Sequence, residues 1–194
     1  METIFVTFND ETDSARANHV RKQLLSTERY LVAGYSPYTT WAKTKSGDSL
    51  ENLRASFDRE LKSASTSIVM VGEDSATNPW IRYAIERCYV LSKPLFALDI
   101  SAIPDELGKA CTADLNPLER FAVLEHGKKV YLSDRYESHV WRADFLECLG
   151  VYLQRARASA AKIADIKADQ QSARSTNYRD YESMRLDRAT VEKR

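Results

Sequence analysis

The sequence predicts an α/β fold in which helices cover both faces of a parallel sheet. Three short apolar runs, at residues 3–8, 66–72 and 94–100, are continuous rather than alternating, as is typical of strands buried on both sides. Helical patterns lie between these runs. Strands and helices that alternate in this order indicate a flavodoxin-like sheet, whose ligands bind at the carboxyl ends of the strands.

Two further strands are less clearly marked. The segment KKVYLSD, residues 128–134, is predicted as a fourth strand, and the aromatic stretch from Tyr30 to Tyr38 is compatible with another. Both are expected to add to the three buried strands.

Apolar spacing and capping residues predict the helices. The segment SARANHVRKQLL, residues 14–25, is expected to be the first helix. In residues 48–64, Asp48 can cap the first turn while Glu51 reaches back to it. The same segment carries one apolar stripe at helical spacing, formed by Leu50, Leu53, Phe57 and Leu61.

Another helix is predicted to begin at Asn78, because Asn followed by Pro is a typical cap and first helical residue. At about 100° per residue, Glu86 falls outside the arc that faces the sheet. That inward arc holds Ile81, Ala84, Ile85 and Cys88. A carboxylate in place of Ala84 would be partly desolvated against Trp80, which raises its pKa and suits it to stabilise a cationic sugar or move a proton. Alanine does neither.

Length and composition predict one domain with an appendage. The chain has 194 residues, enough for one substantial core but too few for two ordinary domains. After Leu153 large apolar residues become rare and charge becomes dense. We therefore predict an α/β domain at residues 1–153 and a polar helical C-terminal extension at residues 154–194. The extension is either one long helix, with Ile163 and Ile166 on one side, or two helices with a break near Ser175.

The extension also bears on assembly. A segment this polar is ordered most easily against another molecule or subunit, which favours self-association. The alternative is a helix that packs on its own domain.

Charge and cysteine content exclude several classes of protein. Lys and Arg number 28, as do Asp and Glu, and a balanced charge argues against a partner that is nucleic acid or a membrane surface. The three cysteines and three histidines show no zinc-like spacing, so we expect reduced thiols and no metal. The N-terminal sequence lacks a signal-like pattern and no stretch approaches a membrane span. We expect a cytoplasmic protein.

Candidate binding residues collect at the predicted carboxyl-terminal rim of the sheet. Phosphate-binding glycine motifs, the nucleophile elbow and the zincin helix are all absent from the sequence. The rim is instead expected to collect Phe8, Asn9, Asp10, Trp41, Lys43, Trp80 and Tyr83.

Several of these segments also carry a family resemblance. They are residues 5–8 (FVTF), 16–21 (RANHVR), the stretch around Trp41 and Lys43, residues 67–75, residues 80–85 (WIRYAI), the strand at residues 94–100 and the loop with Asn116 and Pro117. Over roughly residues 3–150 the chain resembles the bacterial TIR-like domains of the Thoeris antiphage defence type. The most specific piece is a strand ending in VG, followed by a polar loop and W-[IV]-R-Y-x-I. In the family the x is glutamate, the catalytic residue of NAD-cleaving TIR domains, and here it is Ala84.

Three explanations of Ala84 are open. One is that Ala84 is an introduced Glu-to-Ala substitution, and another is that the catalytic residue was lost naturally. The third is that the alignment with the family is shifted and that Glu86 supplies the carboxylate. The helical arc argues against the last explanation.

The resemblance implies a function for the form with glutamate. NAD+ would be the substrate, with no metal, and cleavage of its nicotinamide glycosidic bond would give ADP-ribose or a cyclic isomer of it. In Thoeris-like systems such a product activates a separate effector protein, and a phage-derived trigger starts its synthesis. The chain would thus bind NAD+ or an ADP-ribose-type nucleotide.

For the predicted pocket residues, simpler roles stay open. Asn9 and Asp10, together with Phe8, would frame the nucleotide, but Asn-Asp after a strand is also ordinary turn chemistry. Trp41 and Lys43 would offer a stacking face and a phosphate contact, or belong to surface packing.

The residues on helices have alternatives as well. Trp80 is expected to pack at the helix start and also to contact the ligand, and Tyr83 to contact a diphosphate or a neighbouring subunit, or to lie on a solvated face. Arg16, Asn18 and Arg21 are expected to form a polar helix face or an oligomer contact.

Two functions of other classes compete with the enzyme. One is a TIR-like scaffold or sensor that acts through self-assembly without turnover. The other is a flavodoxin-like receiver or nucleotide-binding domain, for which Asp10 and Asp74 are the acidic candidates.

Overall fold

The computed structural model describes residues 1–34, 50–113, 115–176 and 187–188. Its strands are β1 (Glu2–Thr7), β2 (Tyr30–Ala33), β3 (Thr66–Val71), β4 (Leu95–Asp99), β5 (Phe121–Glu125), β6 (Lys128–Tyr131), β7 (Ser138–Val140) and β8 (Asp187–Arg188). Its helices are α1 (Ser14–Ser26), α2 (Leu50–Ser63), α3 (Pro79–Val90), α4 (Pro117–Arg120) and α5 (Phe145–Thr176).

Five of the described strands form one parallel sheet in the order β2-β1-β3-β4-β7. This confirms the predicted flavodoxin-like architecture and its three buried strands. β2 is the strand expected within the aromatic stretch, of which Tyr35 to Tyr38 lie outside the described residues.

Helices cover both faces of this sheet, because alternate strand residues point to opposite sides. In β3, Ile68 and Met70 pack with α1 and the first part of α5, whereas Val69 and Val71 pack with α2 and α3. The chain therefore leaves β1 towards one face and leaves β3 towards the other.

The predicted fourth strand belongs to another sheet. β6 pairs antiparallel with β5, which pairs on its other side with β8. His126 and Gly127 connect β5 to β6 with φ values of 50° and 76°, a two-residue turn that favours an antiparallel hairpin. The fifth parallel strand is instead the short β7, which contains His139.

The helix ends are fixed by side chains. Asn78 Oδ1 accepts hydrogen bonds from the N–H groups of Trp80 and Ile81, at 2.9 and 3.2 Å, and Pro79 is the first helical residue. This confirms the predicted start of α3. The predicted cap Asp48 lies outside the described residues.

α5 is continuous across the predicted domain boundary after Leu153. Its buried hydrophobic residues extend from Phe145 through Ile163, and Lys167 donates hydrogen bonds to the last carbonyls of α3, including that of Val90 at 3.2 Å. Burial lowers the pKa of Lys167 to about 8. The first part of the predicted extension therefore packs on its own domain. Self-association through the residues after Thr176 stays a prediction.

Within the part of the chain that the structure describes, no helix combines the length and the apolar character needed to cross a bilayer.

The packing of α5 gives a test of stability. Ile163 is fully buried, whereas Ile166, one turn further, is only half-buried. We expect Ile163→Ala to lower the free energy of unfolding by about 2–4 kcal/mol, because it leaves a cavity, and Ile166→Ala to cost less than half as much. Urea unfolding of both variants measures this difference. Equal, small effects would contradict the packing of this half of α5 on the domain.

Candidate functional site at the carboxyl ends of β1 and β3

A cleft of about 390 Å³ lies at the carboxyl ends of the adjacent strands β1 and β3. Its walls are Asn9, Asp10, Glu11, Thr12, Asp74, Thr77, Asn78 and Pro79. Because the chain leaves these two strands towards opposite faces, the cleft lies at the topological switch point, where open parallel sheets bind their ligands.

Hydrogen bonds tie the two loops of the cleft together. Asn9 Nδ2 donates to the Glu73 carbonyl at 3.3 Å, and Thr12 Oγ1 donates to the same oxygen at 3.0 Å. Asn9 Oδ1 also accepts from Asn78 Nδ2 at 3.2 Å. Asn78 thus caps α3 and fixes Asn9 at the same time, so the cleft is preformed.

The structure separates the three residues predicted after β1. Asn9 and Asp10 line the cleft, but Phe8 is buried in the core on the α1 side. Trp41 and Lys43 lie outside the described residues, and their contacts with a nucleotide stay predictions.

Ala84 lies on the inward arc of α3, as the helical spacing predicts. It is 0% exposed and packs in one apolar cluster with Trp80, Ile81 and Ile85. Glu86 is half-buried and lies off this arc. Ala84 is thus under the start of α3 rather than in the cleft wall.

Aromatic contacts connect α3 to α2. The ring centroid of Trp80 lies 5.6 Å from that of Phe57 and 5.8 Å from that of Tyr83. The Tyr83 hydroxyl donates to Asp58 Oδ1 at 3.0 Å, and Arg87 pairs with the same carboxylate through two nitrogens. Burial and the Asp58 charge raise the pKa of Tyr83. These contacts hold Trp80 and Tyr83 in place, and their roles as ligand contacts stay predictions.

A buried carboxylate beneath the cleft was not identified from the sequence. Asp13 is 0% exposed, and its Oδ1 accepts from the Glu73 N–H at 3.4 Å. A Cβ at Gly72 would lie only 2.2 Å from this oxygen, so the close approach requires glycine. Gly72 after a buried strand was the sequence signal for such an approach.

Arg16 is also buried, contrary to the polar helix face expected for it. Its side chain is 3% exposed and lies 3.3 Å from Asp13 Oδ1. Its guanidinium nitrogens also donate hydrogen bonds to the backbone carbonyls of Thr12, Ile103 and Lys109. A buried charge with this many partners is positioned by the fold.

The loops and helices of this site coincide with a family match. The family model described as "Thoeris protein ThsB, TIR-like domain" matches residues 5–104. The chain belongs to the Thoeris ThsB TIR-like family. Thoeris is an antiphage defence system, so membership gives the chain a role in antiphage defence.

The region shared with the Thoeris ThsB TIR-like family runs from β1 through β4. It therefore contains both loops of the cleft, the Asp13–Arg16 pair and all of α3. It ends before the β5–β6 hairpin and α5.

Outside the Thoeris family, the similarity of this chain to known proteins is weak. No curated protein matches the chain. Among solved structures, a 2-deoxyribosyltransferase from Bacillus psychrosaccharolyticus is 18% identical, with 54% of this chain and 77% of that chain covered and a TM-score of 0.35. At this level the likeness carries no information about activity.

Asp13 makes the stability of this Thoeris domain depend on pH. Burial raises the pKa of the carboxyl from 3.8 to about 6, against the opposing effects of the Glu73 N–H and Arg16. The folded state therefore holds the proton more tightly than the unfolded state. The resulting stabilisation is complete below pH 3.8 and is lost as the pH rises through 6.

We expect the free energy of unfolding of the wild type, relative to Asp13→Asn, to fall by about 3 kcal/mol in total from well below pH 3.8 to well above pH 6. Urea unfolding at several pH values measures it, with the exposed Asp165→Asn as the matched control. Parallel profiles for wild type and Asp13→Asn would show that Asp13 does not titrate in this range.

Proposed function

We propose that this chain binds NAD+ at the rim of the sheet and that a carboxylate at position 84 makes the site an NAD+-cleaving enzyme of antiphage signalling. The observation that carries the proposal is the preformed cleft at the switch point between β1 and β3, with Asn9 and Asp10 in its wall and Asn78 at the start of α3. Such a position is where open parallel sheets bind nucleotides.

The charge of the cleft supports one orientation of NAD+. Its described wall carries the carboxylates Asp10, Glu11 and Asp74 and no basic side chain. Like charges repel over these short distances, so a diphosphate is disfavoured in the cleft. The cationic nicotinamide ring and its ribose are favoured there, with the diphosphate outside.

The position of Ala84 supports the role of a carboxylate at this site. Helical side chains tilt towards the N-terminus of their helix, so a glutamate in place of Ala84 points past Trp80 towards the rim. The apolar cluster around it disfavours the charged form and raises its pKa.

The carboxylate stabilises the reacting sugar. The bond between C1′ of the ribose and the nicotinamide nitrogen breaks, and its electron pair leaves with nicotinamide. The ribosyl cation is stabilised by the negative charge, and water then adds at C1′ and releases a proton to give ADP-ribose. Attack by a hydroxyl or ring nitrogen of the same molecule gives a cyclic isomer instead. This product is the signal to a separate effector, made in response to a phage-derived trigger.

The turnover of NAD+ by Ala84→Glu tests the proposal. We expect this variant to consume NAD+ about 10²- to 10⁴-fold faster than the chain with alanine, the usual effect of a positioned acid–base group. Mass spectrometry of the products, with and without lysate of phage-infected cells, identifies the signal.

Ala84→Gln is the matched control, because it adds the same bulk to the buried position without the charge. Circular dichroism establishes that both variants are folded. A folded Ala84→Glu variant that consumes NAD+ no faster than Ala84→Gln, with lysate present, contradicts the proposal.

A non-catalytic scaffold or sensor is the second candidate. The observation that favours it is Ala84 itself. Its methyl group is fully buried and packs within an apolar cluster. Self-association without NAD+ turnover in any of the three proteins favours this function.

A further inference from the structure

Arg16 is a buried side chain that reaches two loops of the rim at once, the loop after β1 and the loop after β4. Its Nη1 donates to the Thr12 carbonyl at 3.0 Å, in the loop after β1. Its Nε donates to the Ile103 carbonyl and its Nη2 to the Lys109 carbonyl, both at 3.0 Å, in the loop after β4. The guanidinium is thus a bridge between the two loops.

The loop after β4 is shaped to receive this bridge. Asp105 Oδ1 accepts from the N–H groups of Leu107 and Lys109, at 2.8 and 2.9 Å, and so closes a tight turn. The second oxygen of Asp105 lies 3.7 Å from Arg16 Nη2. Asp105 therefore orients the Lys109 carbonyl towards Arg16. Neither Asp105 nor Lys109 lines the cleft.

On the other side, Arg16 acts on residues that hold the cleft. Thr12 lines the cleft, and its hydroxyl donates to the Glu73 carbonyl in the loop after β3. Asp13, the ion-pair partner of Arg16, accepts from the Glu73 N–H. Arg16 therefore contacts both of the residues, Thr12 and Asp13, whose hydrogen bonds to Glu73 hold the two walls of the cleft together.

We propose that Arg16 is the positioning residue of the cleft, which sets the distance between its two walls and couples them to the loop after β4. Its effect on a ligand rests on the proposed function, but its effect on the loops does not. Only a guanidinium supplies donors in a fixed planar fork, whereas a lysine offers a single point of attachment. Arg16→Lys keeps the charge and breaks the bridge.

Hydrogen exchange of the full chain tests the coupling of the loops. We expect Arg16→Lys to speed amide exchange at residues 72–77 and 101–111 by about tenfold or more, the effect of losing one hydrogen bond to a charged group. Amides of β3 and β4 keep their rates. Arg157→Lys, at the opposite end of the sheet, is the matched control and changes neither loop.

Calorimetric titration with NAD+ tests the consequence for the cleft. We expect Arg16→Lys to weaken binding by about tenfold, again from one charged hydrogen bond, and Arg157→Lys to leave it unchanged. Wild type that does not bind NAD+ refutes the proposed function, while the exchange pattern still decides whether Arg16 couples the loops.

Asp105→Ala covers the case in which Arg16→Lys does not fold. This change lies in an exposed turn outside the cleft, so it acts on residues 72–77 only through Arg16. We expect it to speed exchange there and, where Arg16→Lys does fold, to have no added effect in the double variant. Unchanged exchange at residues 72–77 in Asp105→Ala, or uniform acceleration over the whole domain in Arg16→Lys, overturns the proposal.

Discussion

The parallel pairing of β1 with β3 determines where the cleft forms and which loops build it. These parallel strands are adjacent, but the chain leaves them towards opposite faces of the sheet. Their two following loops therefore separate and leave a cleft with a polar wall on each side. Without other contacts, such loops would be held only by their own turns. Asn9, Thr12 and Asp13 join them through hydrogen bonds to Glu73.

The contacts beneath the cleft are costly, which indicates what they maintain. A buried carboxylate and a buried guanidinium both lose hydration, and a pair of this kind seldom adds net stability. Here the Asp13–Arg16 pair connects the loops after β1, β3 and β4. Gly72 permits the close approach of Asp13, and Asp105 orients the carbonyl that Arg16 reaches. The arrangement therefore fixes the shape of the rim rather than maximising the stability of the fold.

The candidate site has two structurally separate parts. The cleft wall comes from the loops, whereas position 84 lies on the inward face of α3, beneath Trp80. A substitution at position 84 can therefore change the buried face of α3 without altering the polar wall of the cleft. The Thoeris family match covers both parts of the site, since it runs from β1 through β4.

Sequence patterns predicted the parts of the fold that depend on burial and local capping. The continuous apolar strands, the Asn78 cap and the inward arc with Ala84 are all present. The segment at 128–134 was placed in the wrong sheet, because a β-strand pattern does not specify its partner. β7 was missed because it is short and polar. The burial of Arg16 and of Asp13 was missed, because it depends on loops distant in sequence, which local periodicity does not report.

An NMR titration of the full chain with NAD+ is the most direct measurement of binding at the rim, since this chain is expected to bind NAD+ without cleaving it. Binding at the rim predicts amide shifts concentrated at residues 9–13 and 72–80, on the two walls of the cleft. Shifts concentrated elsewhere would contradict it, above all in the groove between β7 and α5 that contains His139 and Arg155, with the rim unchanged.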